Sequence, residues 1–239
     1  MNLKFGPAVS SLRTEPKKLI EYLTATLDFS NEAIELSLVS TDRVFYDQTV
    51  ADLLKKFKYR SIHLPVLDVD RKVISYPDPK IINELNIIDR YIIEISPNTV
   101  LVHPDQINDL DWLTQKYGKL LAFENLDAKK SFGKTVADLE SIFKKCPDAK
   151  LVLDLNHIYT NDQSMILAAD FFQTFKSRLC HFHLSGYGGF HDALCLSQEN
   201  VIVKGLISLD YPIIDEGNLM ERDLLKPEYD YLCELLSKS

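Results

Sequence analysis

The sequence contains little cysteine, and its cysteines stand far apart. The four are Cys146, Cys180, Cys195 and Cys233, and no two of them form a C-x-x-C pair. A chain of 239 residues can bury a full core and does not need disulfides to supplement it. Cysteine-based zinc sites need closely spaced pairs, which are missing here. We therefore expect free thiols in a reduced, cytoplasmic protein.

Long hydrophobic runs and concentrations of basic residues are also missing. No segment approaches the roughly 18 apolar residues that indicate a membrane-spanning helix, and the N-terminal "MNLKFGPAVSSL" lacks the apolar run of a secretory signal. The chain has 27 Lys and Arg against 35 Asp and Glu, a net charge of −8. Nucleic-acid-binding domains usually carry a basic stripe. Both a membrane and a nucleic acid are thus disfavoured as partners.

Glycine is scarce, with eight in the chain, and the first apolar segment, "FGPAVSSL", is a poor version of a Gly-rich nucleotide-binding turn.

What the sequence does contain is a repeating unit. Short β-rich apolar segments alternate with amphipathic stretches such as "PKKLIEYLTATL" and "ENVIVKGLISL", whose apolar residues are three and four apart. The apolar segments cover residues 3–10, 33–40, 60–67, 99–104, 120–125, 150–155, 178–184 and 211–217.

Alternation of strands and helices predicts parallel strands joined by right-handed crossovers. Eight such units in 239 residues match a closed (β/α)8 barrel, which typically has about 250 residues. No linker or change of composition marks a second domain, so we expect residues 1–239 to form one α/β barrel domain. An open doubly wound sheet is the alternative architecture.

Potential metal ligands stand where the predicted strands end. Strands three to eight end in His63, His103, Glu124, Asp154, His183 and Glu216, and two further histidines, His157 and His191, follow strands six and seven. In a barrel these ends meet at one mouth, where active sites form. Taken singly, such residues have ordinary explanations: a histidine can be a hydrogen-bonded core residue, and Asp154 can cap the next turn.

The combination is harder to explain without a cation. Three buried carboxylates meeting in one place would repel one another and be costly to desolvate. A divalent cation supplies the missing positive charge. We therefore predict a metal site; the mixed set of imidazole and carboxylate ligands suits Zn, Mn or Fe.

The stretch "CHFHLSGYGGFH" (180–191) holds three of the six histidines. Side chains alternate along a strand, so His181 and His183 share the inward face. His183 is nearer the strand's end and is the better ligand, whereas the deeper His181 is assigned a structural role. The same period selects Glu216 over its neighbour Asp215, because Glu216 shares a face with Ile214.

The ordered series "HLP", "VHPD", "FENLD", "LDLNH", "HFHLSG…H" and "IIDEG" resembles the xylose isomerase-like barrel superfamily from strand three to strand eight. That superfamily includes sugar and sugar-phosphate isomerases and epimerases and the endonuclease IV type of apurinic-site endonuclease. The resemblance implies one metal held by Glu124, Asp154, His183 and Glu216. It also implies that Glu124 and Glu216 form the acid–base pair of an epimerase.

The endonuclease branch adds histidines that complete a cluster of up to three metals. The matching positions are His63, His103, His157 and His191. That branch also has an aspartate two residues before the last histidine, where this chain has Gly189, with Asp192 on the other side. The resemblance therefore leaves a complete third metal site in doubt.

Three functions remain open on this evidence. The favoured one is isomerisation or epimerisation of a small carbohydrate or related hydroxy-ketone. The second is metal-dependent phosphodiester hydrolysis at abasic DNA, although the predicted loops are short and carry few cations. The third is a degenerate barrel that binds without turnover. Glu35, inward on strand two, is expected to hydrogen-bond a substrate hydroxyl or pair with a lysine, and His157 to bind metal or substrate. The oligomeric state is left open.

Overall fold

Eight parallel strands close into a barrel in their sequence order, from β1 round to β8 and back to β1. This confirms the predicted (β/α)8 architecture. The computed structural model of the protein describes residues 3–10, 16–187, 191–219 and 223–238. The strands are β1 (Phe5–Ser10), β2 (Ala33–Ser37), β3 (Tyr59–His63), β4 (Thr99–Val102), β5 (Leu121–Glu124), β6 (Lys150–Asp154), β7 (Leu179–Leu184) and β8 (Ile213–Asp215).

The crossovers between strands are helical, and several begin at a residue that caps the helix. Asp47, Asp109 and Thr135 each accept a hydrogen bond from a backbone N–H in the first turn of the helix that follows. The α-helices are α1 (Pro16–Phe29), α2 (Gln48–Leu54), α3 (Ile82–Ile95), α4 (Leu110–Tyr117), α5 (Val136–Phe143), α6 (Leu155–Asn161), α7 (Ile166–Phe175), α8 (Leu194–Ser197) and α9 (Leu225–Ser237). Within the described ranges, no helix is long and apolar enough to cross a membrane.

One predicted helix is wrong. The stretch 199–209 forms a 3-10 helix, Asn200–Gly205, after the four-residue α8. Val201, Ile202 and Val203 are β-branched and consecutive, which lowers the tendency to form an α-helix. The amphipathic spacing of this stretch was therefore not sufficient to predict its helix type.

Alternate residues of each strand face two different environments. The outward-facing Ile62, Phe123 and Phe182 belong to the large apolar core between barrel and helices. Inside the barrel the apolar contacts are few, and Leu101, Ala122 and Val152 form a small separate cluster. Much of the remaining interior is polar.

The first two strands approach one another closely at Gly6. A Cβ atom there would lie 1.7 Å from the backbone oxygen of Ala33. Any side chain would therefore force β1 and β2 apart. Such a displacement would disturb the closure of the barrel.

Several strands are shorter than the apolar segments that predicted them. β8 ends at Asp215 and β4 at Val102, so Glu216 and His103 are the first residues beyond their strands. Because these strands end early, the backbone of Glu216 and of His103 belongs to the loops at the mouth of the barrel. It does not change which end of the barrel they occupy.

Candidate metal centre

The predicted ligands meet at the carboxyl end of the barrel because parallel strands all end on the same side. Six of them lie at or directly beside a strand end: His63, His103, Glu124, Asp154, His183 and Glu216. They form two sets of side chains whose nitrogen and oxygen atoms converge. The sets have one residue, Glu124, in common.

The first set, the carboxylate set, consists of Glu124, Asp154, His183 and Glu216. One ligand atom from each lies within 4.8 Å of the others. Nδ1 of His183 is 2.7 Å from Oε1 of Glu124, 3.4 Å from Oε1 of Glu216 and 4.0 Å from Oδ2 of Asp154. Glu216 is the partly open member, with 17% of its side chain exposed against 1% for Glu124. The set is thus reachable from the mouth on the Glu216 side.

The second set, the histidine set, consists of His63, His103 and Glu124. Nε2 of His63 and Nε2 of His103 are 3.1 Å apart. Oε2 of Glu124 lies 3.2 Å from Nε2 of His103 and 3.7 Å from Nε2 of His63. A triangle with these sides has a centre about 2 Å from every corner, which is the usual length of a zinc–nitrogen or zinc–oxygen bond. The three atoms could hold one ion without rearrangement.

Glu124 divides its two oxygens between the sets. Oε1 faces His183, and Oε2 faces His103 and His63. A carboxylate placed this way can bridge two cations. Two cations held side by side in this way would form a two-metal site.

Two histidines have a defined tautomer when neutral. Nδ1 of His63 lies 2.8 Å from the carbonyl oxygen of Leu64, and Nδ1 of His157 lies 2.8 Å from that of Asn125. A carbonyl only accepts, so each Nδ1 carries the hydrogen and donates it. In both rings Nε2 therefore presents its lone pair. Such bonds orient metal-binding histidines.

Asp154 has one oxygen engaged and one available. Oδ1 accepts from the backbone N–H of His157 at 2.6 Å and caps α6. Oδ2 is buried without a hydrogen-bond partner, 3.5 Å from Nδ1 of His157. Asp154 therefore caps a helix, as one explanation from sequence required, and its second oxygen is left available for a ligand role.

Burial and neighbouring charges shift the pKa values of the three carboxyl groups in different directions. Burial alone would raise the pKa of Glu124, but His183, His103 and His63 lower it well below the usual value. Burial raises the pKa of Glu216 well above its usual range, and the carboxylates of Glu124 and Asp154 add to the rise, against the opposing effect of His183. Burial likewise raises the pKa of Asp154.

His183 responds in the opposite sense to its surroundings. Burial alone would lower its pKa, but Glu216, Glu35 and Glu124 raise it well above the usual value. A proton on Nδ1 of His183 thus supplies positive charge between the carboxylates. A divalent cation at that place would supply more, and the donor set fits one.

His157 and His191 lie at the edge of the centre. Their ring centroids are 5.7 Å apart, and Nδ1 of His191 is 2.9 Å from the hydroxyl of Ser185 and 3.6 Å from Oε2 of Glu216. Among the described residues, the converging ligand groups of three or more include neither histidine. Gly189, the position that bears on a third site, lies outside the described residues.

Glu35 lies deeper than the sequence indicated, and a role for it in binding a substrate stays a prediction. It lies fully buried inside the barrel, below the carboxylate set, rather than at the mouth. Its hydrogen-bond partners are Ser61 and His183, and no bond to a lysine is found among the described residues. The sequence placed Glu35 on the inward face correctly but did not reveal its depth.

Asn125 is a residue of the site that sequence reasoning missed. Its side chain donates to the carbonyl oxygen of Asp154 at 2.9 Å and accepts from the N–H of Asp154 at 2.7 Å. It thereby joins the ends of β5 and β6. Its position directly after Glu124 in "FENLD" was the only available signal.

Comparison with known proteins identifies the fold but not the reaction. No family model and no curated protein matches the sequence. Solved structures do match. A 3-keto-D-glucoside 4-epimerase from E. coli is 13% identical, with a TM-score of 0.64 over 98% of this chain and 100% of that one.

Endonuclease IV from Thermus thermophilus is 11% identical, with a TM-score of 0.71 over 98% of this chain and 99% of that one. A D-psicose 3-epimerase is 15% identical, with a TM-score of 0.58 over 92% and 88% of the two chains. The protein thus shares the closed (β/α)8 barrel fold of these structures, as its strand–helix alternation predicted. Identities this low show the fold alone.

Proposed function

We propose that the protein is a divalent-metal-dependent isomerase or epimerase of a small sugar, sugar phosphate or related hydroxy-ketone. The observation that carries this proposal is the placement of Glu124 and Glu216. Both carboxylates approach Nδ1 of His183, at 2.7 and 3.4 Å, and both belong to one converging ligand set. Two carboxyl groups that converge at one place suit removal and return of a proton.

The carboxylate set would hold the ion, with Glu124, Asp154 and Glu216 giving oxygens and His183 giving Nδ1. A bound divalent metal would act as a Lewis acid that polarises the carbonyl and hydroxyl oxygens of a substrate. Zn, Mn and Fe all accept such a mixed set of ligands. Asn125 supports the set by fixing the backbone of Asp154.

Proton transfer at the carbon next to the carbonyl is assigned to Glu124 and Glu216. Their surroundings push their pKa values apart, downward for Glu124 and upward for Glu216. Before a cation binds, the two carboxyl groups thus differ in proton affinity, as an acid and a base do. Contact with a substrate oxygen is assigned to Nε2 of His157, because Nδ1 of this ring bonds to the carbonyl oxygen of Asn125.

The test is hydrogen exchange with solvent. Metal-loaded protein is incubated in D2O with a panel of ketoses and ketose phosphates, and deuterium entry next to the carbonyl is followed by NMR. We expect exchange with at least one of them, reduced on the order of 100-fold in Glu216→Gln. Absence of exchange over a broad panel, with metal bound, would count against the proposal.

Metal-dependent phosphodiester hydrolysis is the second candidate, and the histidine set favours it. With Glu124 as a bridge, the two sets could hold two ions, a common arrangement for phosphodiester cleavage. The net charge of −8 argues the other way, because binding a duplex requires cations that replace its counterions. Cleavage of an abasic-site duplex that is lost in Glu124→Gln would reverse the order of the two candidates.

A further inference from the structure

The interior of the barrel beneath the carboxylate set is polar. Barrel interiors are usually filled by Val, Ile and Leu. Here a continuous series of polar side chains, all buried except the half-buried Tyr59, runs downward from His183. We refer to it as the polar column: Glu35, Tyr59, Ser61, His181 and His183. Tyr59 closes it at the bottom, with its hydroxyl 2.7 Å from Nδ1 of His181.

Glu35 occupies the centre of the polar column. Its Oε2 accepts a hydrogen bond from the hydroxyl of Ser61 at 2.7 Å and lies 3.2 Å from Nε2 of His183. Nε2 of His181 is 3.6 Å from the same oxygen. Glu35, His181 and His183 are all 0% exposed. Neither water at the mouth nor a substrate reaches this carboxylate.

The two nitrogens of His183 therefore point to different carboxylates. Nδ1 faces upward to Glu124, Glu216 and Asp154, and Nε2 faces downward to Glu35. A histidine can bind a metal through Nδ1 only if that atom gives up its hydrogen. The neutral ring then keeps its one hydrogen on Nε2, where a buried acceptor is needed.

We infer that Glu35 is a positioning residue: by accepting the Nε2–H of His183, it fixes this ring in the tautomer and orientation that present the Nδ1 lone pair to a metal ion. Carboxylates behind metal-binding histidines act in this way and make the ligand more basic. The inference deepens the proposed function, because it rests on metal binding by the carboxylate set. Glu35 itself touches neither metal nor substrate.

A second ion within the polar column is the competing explanation. Ligand atoms of Glu35, His181 and His183 also lie within 4.8 Å of one another. An ion there would need Nε2 of His183, and an ion in the carboxylate set needs Nδ1. One ring can serve both only as an imidazolate, after losing its last hydrogen. A hydrogen bond from Nε2 of His183 to Glu35 explains the same short distance and does not require the ring to lose its last hydrogen.

The experiment compares three variants with the wild type. Glu35→Leu removes the acceptor at similar volume, and Glu35→Gln keeps an acceptor oxygen without the charge. Ser61→Ala is the matched control, because it removes the other hydrogen bond to Oε2 and leaves His183 untouched. Folding is checked by circular dichroism. Metal content is counted by elemental analysis, and Zn²⁺ affinity is measured by competition with a fluorescent chelator.

We expect Glu35→Leu to bind Zn²⁺ in the carboxylate set about 10- to 100-fold more weakly. Glu35→Gln should recover most of the loss, and Ser61→Ala should bind as the wild type does. NMR of the Zn²⁺-loaded protein, labelled with ¹⁵N-histidine, should show hydrogen on Nε2 of His183 in the wild type. That signature should be lost or shifted in Glu35→Leu, and a merely structural role would leave it in place.

Three results would overturn the inference. One is wild-type Zn²⁺ affinity in folded Glu35→Leu. Another is loss of one whole metal equivalent in that variant with the remaining affinity unchanged, which would indicate an ion in the polar column. The third is a wild type that binds no metal, which would remove the proposed function as well. A wild type that binds metal but shows no hydrogen exchange would overturn the proposed function alone.

Discussion

Oε1 of Glu124 lies 2.7 Å from Nδ1 of His183, although the two residues come from β5 and β7, which are not neighbours in the barrel. The contact joins two strands that lie on either side of β6. The other oxygen of Glu124 faces His103 at 3.2 Å. Glu124 is thus the residue on which both ligand sets depend.

Replacement of Glu124 by glutamine should therefore affect both sets. An amide cannot give an anionic oxygen to each side, so we expect fewer metal ions per chain and a loss of activity on the order of 100-fold or more. Elemental analysis of the purified variant checks the metal content. Glu228→Gln is the control: Glu228 is equally buried and accepts from the backbone of Leu194 and Cys195, but it belongs to neither ligand set. A Glu124→Gln protein with wild-type metal content would contradict the bridging role.

Two substitutions of Asp154 should separate its two roles. Asp154→Ala removes both the cap of α6 and the ligand oxygen, whereas Asp154→Asn keeps a capping oxygen. We expect both variants to lose metal and activity. In metal-stripped protein, the alanine variant should be less stable than the asparagine variant by about 1 kcal/mol. Urea denaturation measures the difference, and equal stabilities would mean that the cap contributes nothing.

His181→Ala should show the reverse pattern. The side chain is fully buried and bonds to the hydroxyl of Tyr59, so truncation leaves a cavity and weakens a buried polar contact. We expect a loss of about 2–4 kcal/mol in the free energy of unfolding with the metal content unchanged. Tyr59→Phe, which removes only the hydroxyl, should lose less. Loss of metal in His181→Ala would assign this histidine to the metal centre.

Metal affinity should weaken as the pH falls. The carboxylates around His183 hold its pKa well above the usual value, and burial does the same for Glu216. Below those raised values a metal must displace the protons, at a cost of about tenfold in affinity per pH unit for each proton. As the pH rises through them, the affinity should level off. Titration calorimetry in buffers of different ionisation enthalpy counts the protons released, and a count of zero near neutral pH would contradict these pKa shifts.

Duplex DNA should bind weakly at physiological salt. The chain carries eight more acidic than basic charges, and Lys130, in the loop after β5, is paired with Asp105 at 2.7 Å. The excess of acidic charge opposes the approach of the phosphate backbone, whose condensed counterions must be replaced by protein cations. An electrophoretic mobility assay with an abasic-site duplex measures this. Tight binding with a steep salt dependence would favour the phosphodiesterase.

The sequence was sufficient to predict the barrel and the end of it that carries the site. Strand alternation has a period of two, so the inward members of "HFHL" and "IIDEG" could be identified without a structure. Parallel strands end on one side, so His63, Glu124 and Asp154 had to be near one another. Amphipathic spacing alone failed to predict the helix type of residues 199–209. The consecutive β-branched residues in that stretch disfavour an α-helix, and it forms a 3-10 helix instead.

Only the tertiary structure decided which atoms meet. Sequence spacing gives the face and the layer of a residue, but distances across a closed barrel depend on how the strands are staggered and on side-chain rotamers. The sequence left a lysine or a substrate as the partner of Glu35. Closure of the barrel brings β2 opposite β7, so the partner is Nε2 of His183 at 3.2 Å. The division of Glu124 between His183 and His103 has the same origin, because it depends on contacts between residues that are far apart in the chain.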